Sequence, residues 1–203
     1  MLVSVEIFTL TLLFSLPLGL LVAFGRMSKN SILRNLTKVY ISILRGTPLI
    51  LQLMVVYFGP YYIFRVTTPK GYRFLATIIG FVLNYAAYFA EIFRGGIESI
   101  DKGQYDAAKV LGFNPFQTFT RIILPQVIKI VFPSVANEII TLVKDTSLAY
   151  IVGYGELLRA GRIATNRDAS LVPLVVVAVF YLALTWVLTK IFERVEKSMD
   201  YYQ

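Results

Sequence analysis

Cysteine and histidine are both absent from the 203 residues. Their absence removes disulfides, thiol nucleophiles, imidazole bases and the commonest zinc ligands together. No Gly-x-x-x-x-Gly-Lys-Ser/Thr loop is present to cradle the phosphates of a nucleotide. Charge is sparse, at 16% of residues, and Ile7 to Gly25 carries none at all. No lysine or arginine precedes Arg26, so the basic start of a cleaved leader is missing and the first apolar run is expected to be retained.

What the chain has in abundance is apolar surface: 57% hydrophobic residues and a mean hydropathy of +0.67, the range of membrane proteins rather than soluble domains. A hydrocarbon core about 30 Å thick asks for roughly 20 residues per helix. Five runs meet that length, at about 3–25, 37–59, 74–94, 121–144 and 171–192. The ten-residue alternation of a membrane β-barrel is not seen. The expected fold is therefore an all-α membrane protein of five transmembrane helices, a single transmembrane domain over 1–203. The net charge of +8 reads first as orientation rather than as affinity for nucleic acid, and no nucleic-acid partner is expected. Placing the N-terminus outside and the C-terminus in the cytoplasm puts 11 lysines and arginines inside and 7 outside.

Between the third and fourth runs lies a polar insert, Glu91 to Gln126, whose residues read as helix, sharp turn, helix. Gln104 to Leu111 holds good helix formers, with Ala107 and Ala108 paired, and Gly112 stands where a helix-ending glycine is favoured. Asn114-Pro115 then restarts the chain as N-cap and first helical residue.

The pattern E-x-F-R-G-G-I-x-S-I-x-x-G-Q-x-x-A-A-x-x-L-G from Glu91 to Gly112, followed by F-x-x-I-I-L-P-Q, resembles the EAA loop of ABC-transporter permeases, most closely the polar amino-acid importer branch. Asp106 stands where that family usually has glutamate. LRGTPLILQLMVVYFG in the second run and KDTSLAYIVGYGELLRAG after the fourth resemble the same family. The resemblance implies a type I ABC importer permease fold with a cytoplasmic coupling loop at 94–120. It also implies an ABC ATPase in two copies that binds ATP and Mg, leaving this chain without cofactor, metal or catalytic residue. Gly103, Gln104, Asp106, Ala107, Ala108, Leu111, Gly112, Asn114 and Phe116 would make the docking segment. A second permease copy, as a homodimer, and an extracytoplasmic solute-binding protein are implied as further partners, in a bacterial or archaeal plasma membrane.

The candidate pathway is read from polar residues inside apolar runs. Asn84, Tyr88 and Glu91 share one face of the third helix, and Ser134, Glu138, Thr141 and Asp145 share one face of the fourth. A charge at bilayer depth costs at least about 2.5 kcal/mol, so Glu138 calls for a function. In the second run, Arg45-Gly46-Thr47-Pro48 weakens the hydrogen-bond ladder and frees a carbonyl or hydroxyl for a cavity. The structural alternative pairs Arg45 or Lys129 with Glu138. The expected substrate site is Glu138, Asn84, Tyr88, Ser134, Thr141, Asp145, Thr47 and Arg45. The carboxylates lean it toward arginine, lysine or histidine, with glutamine or another neutral polar amino acid as the alternative. A proton- or ion-coupled secondary transporter accounts for the carboxylates but leaves the 91–126 insert without a use.

Overall fold

A computed structural model describes residues 2–199; the last four residues of the charged C-terminal tail lie outside the described residues. The helices are α1 (Leu2–Arg26), α2 (Ser31–Gly46), α3 (Leu49–Phe64), α4 (Tyr72–Glu98), α5 (Lys102–Val110), α6 (Pro115–Thr118), α7 (Leu124–Asp145), α8 (Leu157–Asp168) and α9 (Val172–Met199). A π-helical turn, Phe119–Ile123, joins α6 to α7, and a 3-10 helix, Thr146–Val152, follows α7. Four stretches are long and apolar enough to cross a membrane, and the bent pair of α2 and α3 makes a fifth.

The most extensive contact in the molecule is α1 against α4. Small residues make it possible: Thr11, Ser15, Gly19 and Ala23 are buried along α1, and Ala86, Ala87 and Ala90 are buried along α4, while Gly80 of α4 admits Leu53 of α3 instead. In lipid, where apolar burial drives little, such stripes let helices gain by close van der Waals approach. At Gly19 the approach is so close that a Cβ would stand 2.8 Å from the Phe89 Cβ and 3.1 Å from the Ala86 carbonyl oxygen. Gly96 plays the same part for α7, where a Cβ would run into Val131 Cγ1.

The second apolar run is not one continuous helix with a kink. It is two helices meeting at 109°, because Thr47 and Pro48 are extended and Pro48 can only open a new helix. The freed backbone is recaptured by two amides. The Gln52 side-chain nitrogen lies 2.8 Å from the Leu44 carbonyl, 3.0 Å from the Thr47 carbonyl and 2.9 Å from Thr47 Oγ1. Asn84 on α4 donates to the same Leu44 carbonyl at 3.1 Å and to Gln52 Oε1 at 2.9 Å. The Tyr40 hydroxyl adds a bond from α2 to the Leu83 carbonyl.

At the start of α7, Pro125 has no N–H to give to the Arg121 carbonyl, and the Leu124 N–H reaches back to Phe119 instead, which opens the π turn. Beyond α7, the 3-10 helix gives way to α8, whose cap is Glu156. The carboxylate, 2% exposed, accepts from the Leu158 and Arg159 N–H groups and from the Tyr181 hydroxyl, fixing α8 to α9.

Two neighbouring glycines give a clean test of the close packing. Gly96→Ala is expected to lower stability by about 1–3 kcal/mol through overpacking against Val131, read as a lower melting temperature in detergent. Gly95→Ala, with nothing within 4 Å of the added Cβ, is expected to be neutral or stabilising by up to about 1 kcal/mol. For the corner, Gln52→Leu strands the Leu44 and Thr47 carbonyls of their glutamine donor and is expected to cost about 1–3 kcal/mol. Faster tryptic cleavage at Arg45 in Gln52→Leu than in the parent would report the opened corner.

Candidate functional site

Beneath the α2–α3 corner is a cavity of about 350 Å³, walled by three elements and closed by Leu148 of the 3-10 helix. The corner supplies Thr47, Pro48 and Leu49, α4 supplies Asn84, Tyr85 and Tyr88, and α7 supplies Glu138, Thr141 and Asp145. Six of the eight substrate residues expected from the sequence thus line one space. Asn84 is almost fully buried and its amide is committed to the corner, so it shapes the cavity more than it offers free bonding capacity.

The other two stand apart. Ser134 is exposed, one turn along α7 from Glu138, and does not line the cavity. Arg45 stands behind its wall, with its guanidinium 5.1 Å from the centre of the Tyr88 ring and 3.9 Å from Glu91 Oε2. The carboxylate partner of Arg45 is therefore Glu91 rather than Glu138. Glu91 in turn takes a two-pronged bond from Arg94, at 3.1 and 2.6 Å, and Arg94 reaches on to Glu98. This chain of charges marks the end of α4 nearer the polar insert.

Two residues of the site were not singled out from the sequence. Gln52 is the lone amide in LILQLMVVYF, and an uncharged polar group among apolar residues at bilayer depth also needs a partner, though at a smaller cost than the charge of Glu138. Tyr85 lies one position off the Asn84 stripe; its ring is buried and its hydroxyl donates to Asp145 Oδ2 at 2.8 Å, orienting that carboxylate at the cavity wall. Among the described residues no cluster of acidic side chains has the arrangement of a metal site.

The polar insert forms a second candidate surface. Asp101 caps α5 through the Gly103 N–H at 2.6 Å. The helix ends as the glycine predicts: Gly112 has φ of +78°, its N–H reaches the Lys109 carbonyl, and the Phe113 N–H reaches Ala108. Asn114 and Gln117 then cap each other around α6. The paired alanines divide. Ala108 is 1% exposed and faces its own chain, whereas Ala107 is on the outer side with Asp106. Gln104 is tied to Gln126 at the foot of α7. Around the turn, Tyr105, Val110, Leu111 and Phe116 are exposed, Leu111 at 72% and Phe116 at 75%. Large apolar side chains displayed together on a polar loop mark a protein contact.

Residues 15–201 match the family described as the inner membrane component of binding-protein-dependent transport systems. A putative glutamine transport system permease protein, GlnP, of Rickettsia felis is 37% identical over 98% of this chain and 90% of its own length. The L-cystine transport system permease protein TcyL of Bacillus subtilis is 38% identical over 97% of this chain and 84% of its own. Among solved structures, an amino acid ABC transporter described with histidines superposes with a TM-score of 0.88 at 29% identity, covering 98% of this chain and 91% of that one. The methionine ABC transporter MetNI, in an inward-facing form, shares the fold with a TM-score of 0.72 at 19% identity, over 97% and 91% of the two chains. The fold agrees with this kinship: the chain belongs to the inner-membrane permease components of binding-protein-dependent transport systems, among the amino-acid ABC permeases.

Proposed function

We propose that this permease carries a neutral polar amino acid such as glutamine through the cavity under the α2–α3 corner, into the cytoplasm, driven by ATP on a partner subunit. The observation that carries the reading is the convergence of Thr47, Tyr88, Glu138, Thr141 and Asp145 on one space in a chain of this family. Every amino acid carries an α-ammonium, so Glu138 and Asp145 have a cation to read whatever the side chain is. Arg45, held behind Tyr88, places positive charge on the side where an α-carboxylate would lie. The glutamine and cystine names of the relatives favour a side chain without net positive charge. The basic amino acids expected from the two carboxylates are the second reading, supported by the solved transporter described with histidines.

Coupling follows from the loop. Two copies of a cytoplasmic ATPase, which hold ATP and Mg, seat on Tyr105, Val110, Leu111 and Phe116 of two permease copies. Displacement of α5 passes through Ala108 and Gln104 to α7, because packed elements shift as bodies rather than deform. An extracytoplasmic solute-binding protein delivers the amino acid. The N-terminus is outside and the C-terminus inside the plasma membrane of a bacterium or archaeon, in keeping with the lysine and arginine bias.

Uptake in proteoliposomes containing the permease, its ATPase and its binding protein, with each amino acid as competitor, tests the substrate. Glutamine or another neutral polar amino acid is expected to compete best, and selective competition by arginine, lysine and histidine would replace the first reading by the second. Glu138→Gln is expected to cut uptake of any amino acid about tenfold or more, since one good charge-assisted bond is worth roughly 1.5–3 kcal/mol. In the coupling surface, Leu111→Ser with Phe116→Ser is expected to abolish uptake and ATPase co-purification while the permease still reaches the membrane. Normal ATPase binding by that double variant would remove the docking role of the loop.

A further inference from the structure

At the far end of α4 from the coupling segment, about 40 Å along the helix axis, is a second polar recess of about 570 Å³. It lies between the turn at 68–71, the first turn of α4 and the bend at Gly153–Gly155. Three cations line it, Lys70, Arg73 and Arg159, and no acidic residue does. The two guanidiniums converge on one acceptor. Arg73 Nη1 donates to the Gly153 carbonyl at 3.2 Å, and Arg159 Nη1 donates to the same oxygen. A Cβ on Gly153 would lie 3.6 Å from one and 3.9 Å from the other.

Like charges held side by side repel unless an anion joins them. Among the described residues none of the three has a carboxylate within ion-pair distance. Glu156, close by in sequence, is buried and turned to the Leu158 and Arg159 N–H groups and to Tyr181. Arg73 also gives its Nε to the Tyr57 hydroxyl at 3.3 Å and keeps Nη2, while Arg159 keeps both Nε and Nη2, so donors remain for a carboxylate, the anion whose planar geometry a guanidinium fits. The recess is far wider than one such group and opens at the rim of the molecule, which suits acidic side chains carried on a protein surface. The same cations are among those that run against the inside bias of lysine and arginine, so orientation does not account for them.

We infer that this recess is a socket for acidic side chains of the extracytoplasmic solute-binding protein. The inference rests on the importer reading and on the orientation given with it. Lys70→Glu is the cleanest probe, because Lys70 is exposed and takes part in none of the bonds that hold the bend. The permease, co-purified with its ATPase in lipid nanodiscs, is titrated with amino-acid-loaded binding protein, and the ATPase rate is resolved into a half-saturating concentration and a maximum. Lys70→Glu is expected to raise the half-saturating concentration about tenfold or more, most at low salt, with the maximum recovered at high binding protein. Arg159→Gln added to it is expected to raise the value further. Arg167→Gln, which removes an outward charge elsewhere, is expected to stay within about twofold.

An unchanged half-saturating concentration in both socket variants overturns the inference. So does an equal rise in Arg167→Gln, which would mean diffuse charge rather than a socket, and so does a change in the maximum alone. If the variants instead shift the free amino-acid dependence at saturating binding protein, the recess reads the substrate carboxylate and the protein-docking role is lost. A parent complex that no concentration of binding protein stimulates would count against the importer reading itself, an outcome separate from all of these.

Discussion

A backbone carbonyl at bilayer depth has no water to turn to, and a protein that breaks a helix there must answer for each one it frees. Here the answer is Gln52 and Asn84. Their two amides gather the Leu44 and Thr47 carbonyls and each other, which lets α2 and α3 part at 109° without leaving polar groups in lipid. The cavity exists because that corner does. Thr47 and Leu49 overhang it, and Asn84 serves the corner from the same helix that gives the cavity Tyr85 and Tyr88.

The cavity is consequently tied to the most closely packed part of the molecule. α4 holds the corner through Asn84, meets α1 along a stripe of small residues, and meets α7 where Gly96 admits Val131. At its two ends it carries different charges: Arg73 with the basic recess at one, and Glu91, Arg94 and Glu98 near the polar insert at the other. One helix therefore takes part in both mouths of the candidate path and in its wall.

Much of this was legible in the residues, for reasons that can be named. Long apolar runs locate spanning helices because the bilayer sets their length, and Gly112 with Asn114-Pro115 located the turn of the insert because each fixes local backbone geometry. Helical spacing placed Asn84 with Tyr88 and Glu138 with Thr141 and Asp145. It failed at Ser134 and Tyr85, since a helix packed on several sides has no single inward face. The Gly-Thr-Pro signal announced a break but not its angle, which depends on Gln52 and on an asparagine 32 residues further along the chain. The division of Ala107 from Ala108 was equally hidden, because it depends on how α5 lies against the π turn, a tertiary contact.

That π turn has a consequence for how the chain tolerates changes of length. A π turn is a helix that has taken in one extra residue locally, while the turns on either side keep their faces. Counting by helical spacing from Phe116 through to Glu138 is therefore out by one. It also gives the segment a place where an odd residue is stored. A one-residue deletion at 119–123 can be taken up by closing this turn, leaving the loop surface and the cavity carboxylates aimed as before, whereas the same change between 124 and 137 would turn Glu138 about 100° relative to the loop.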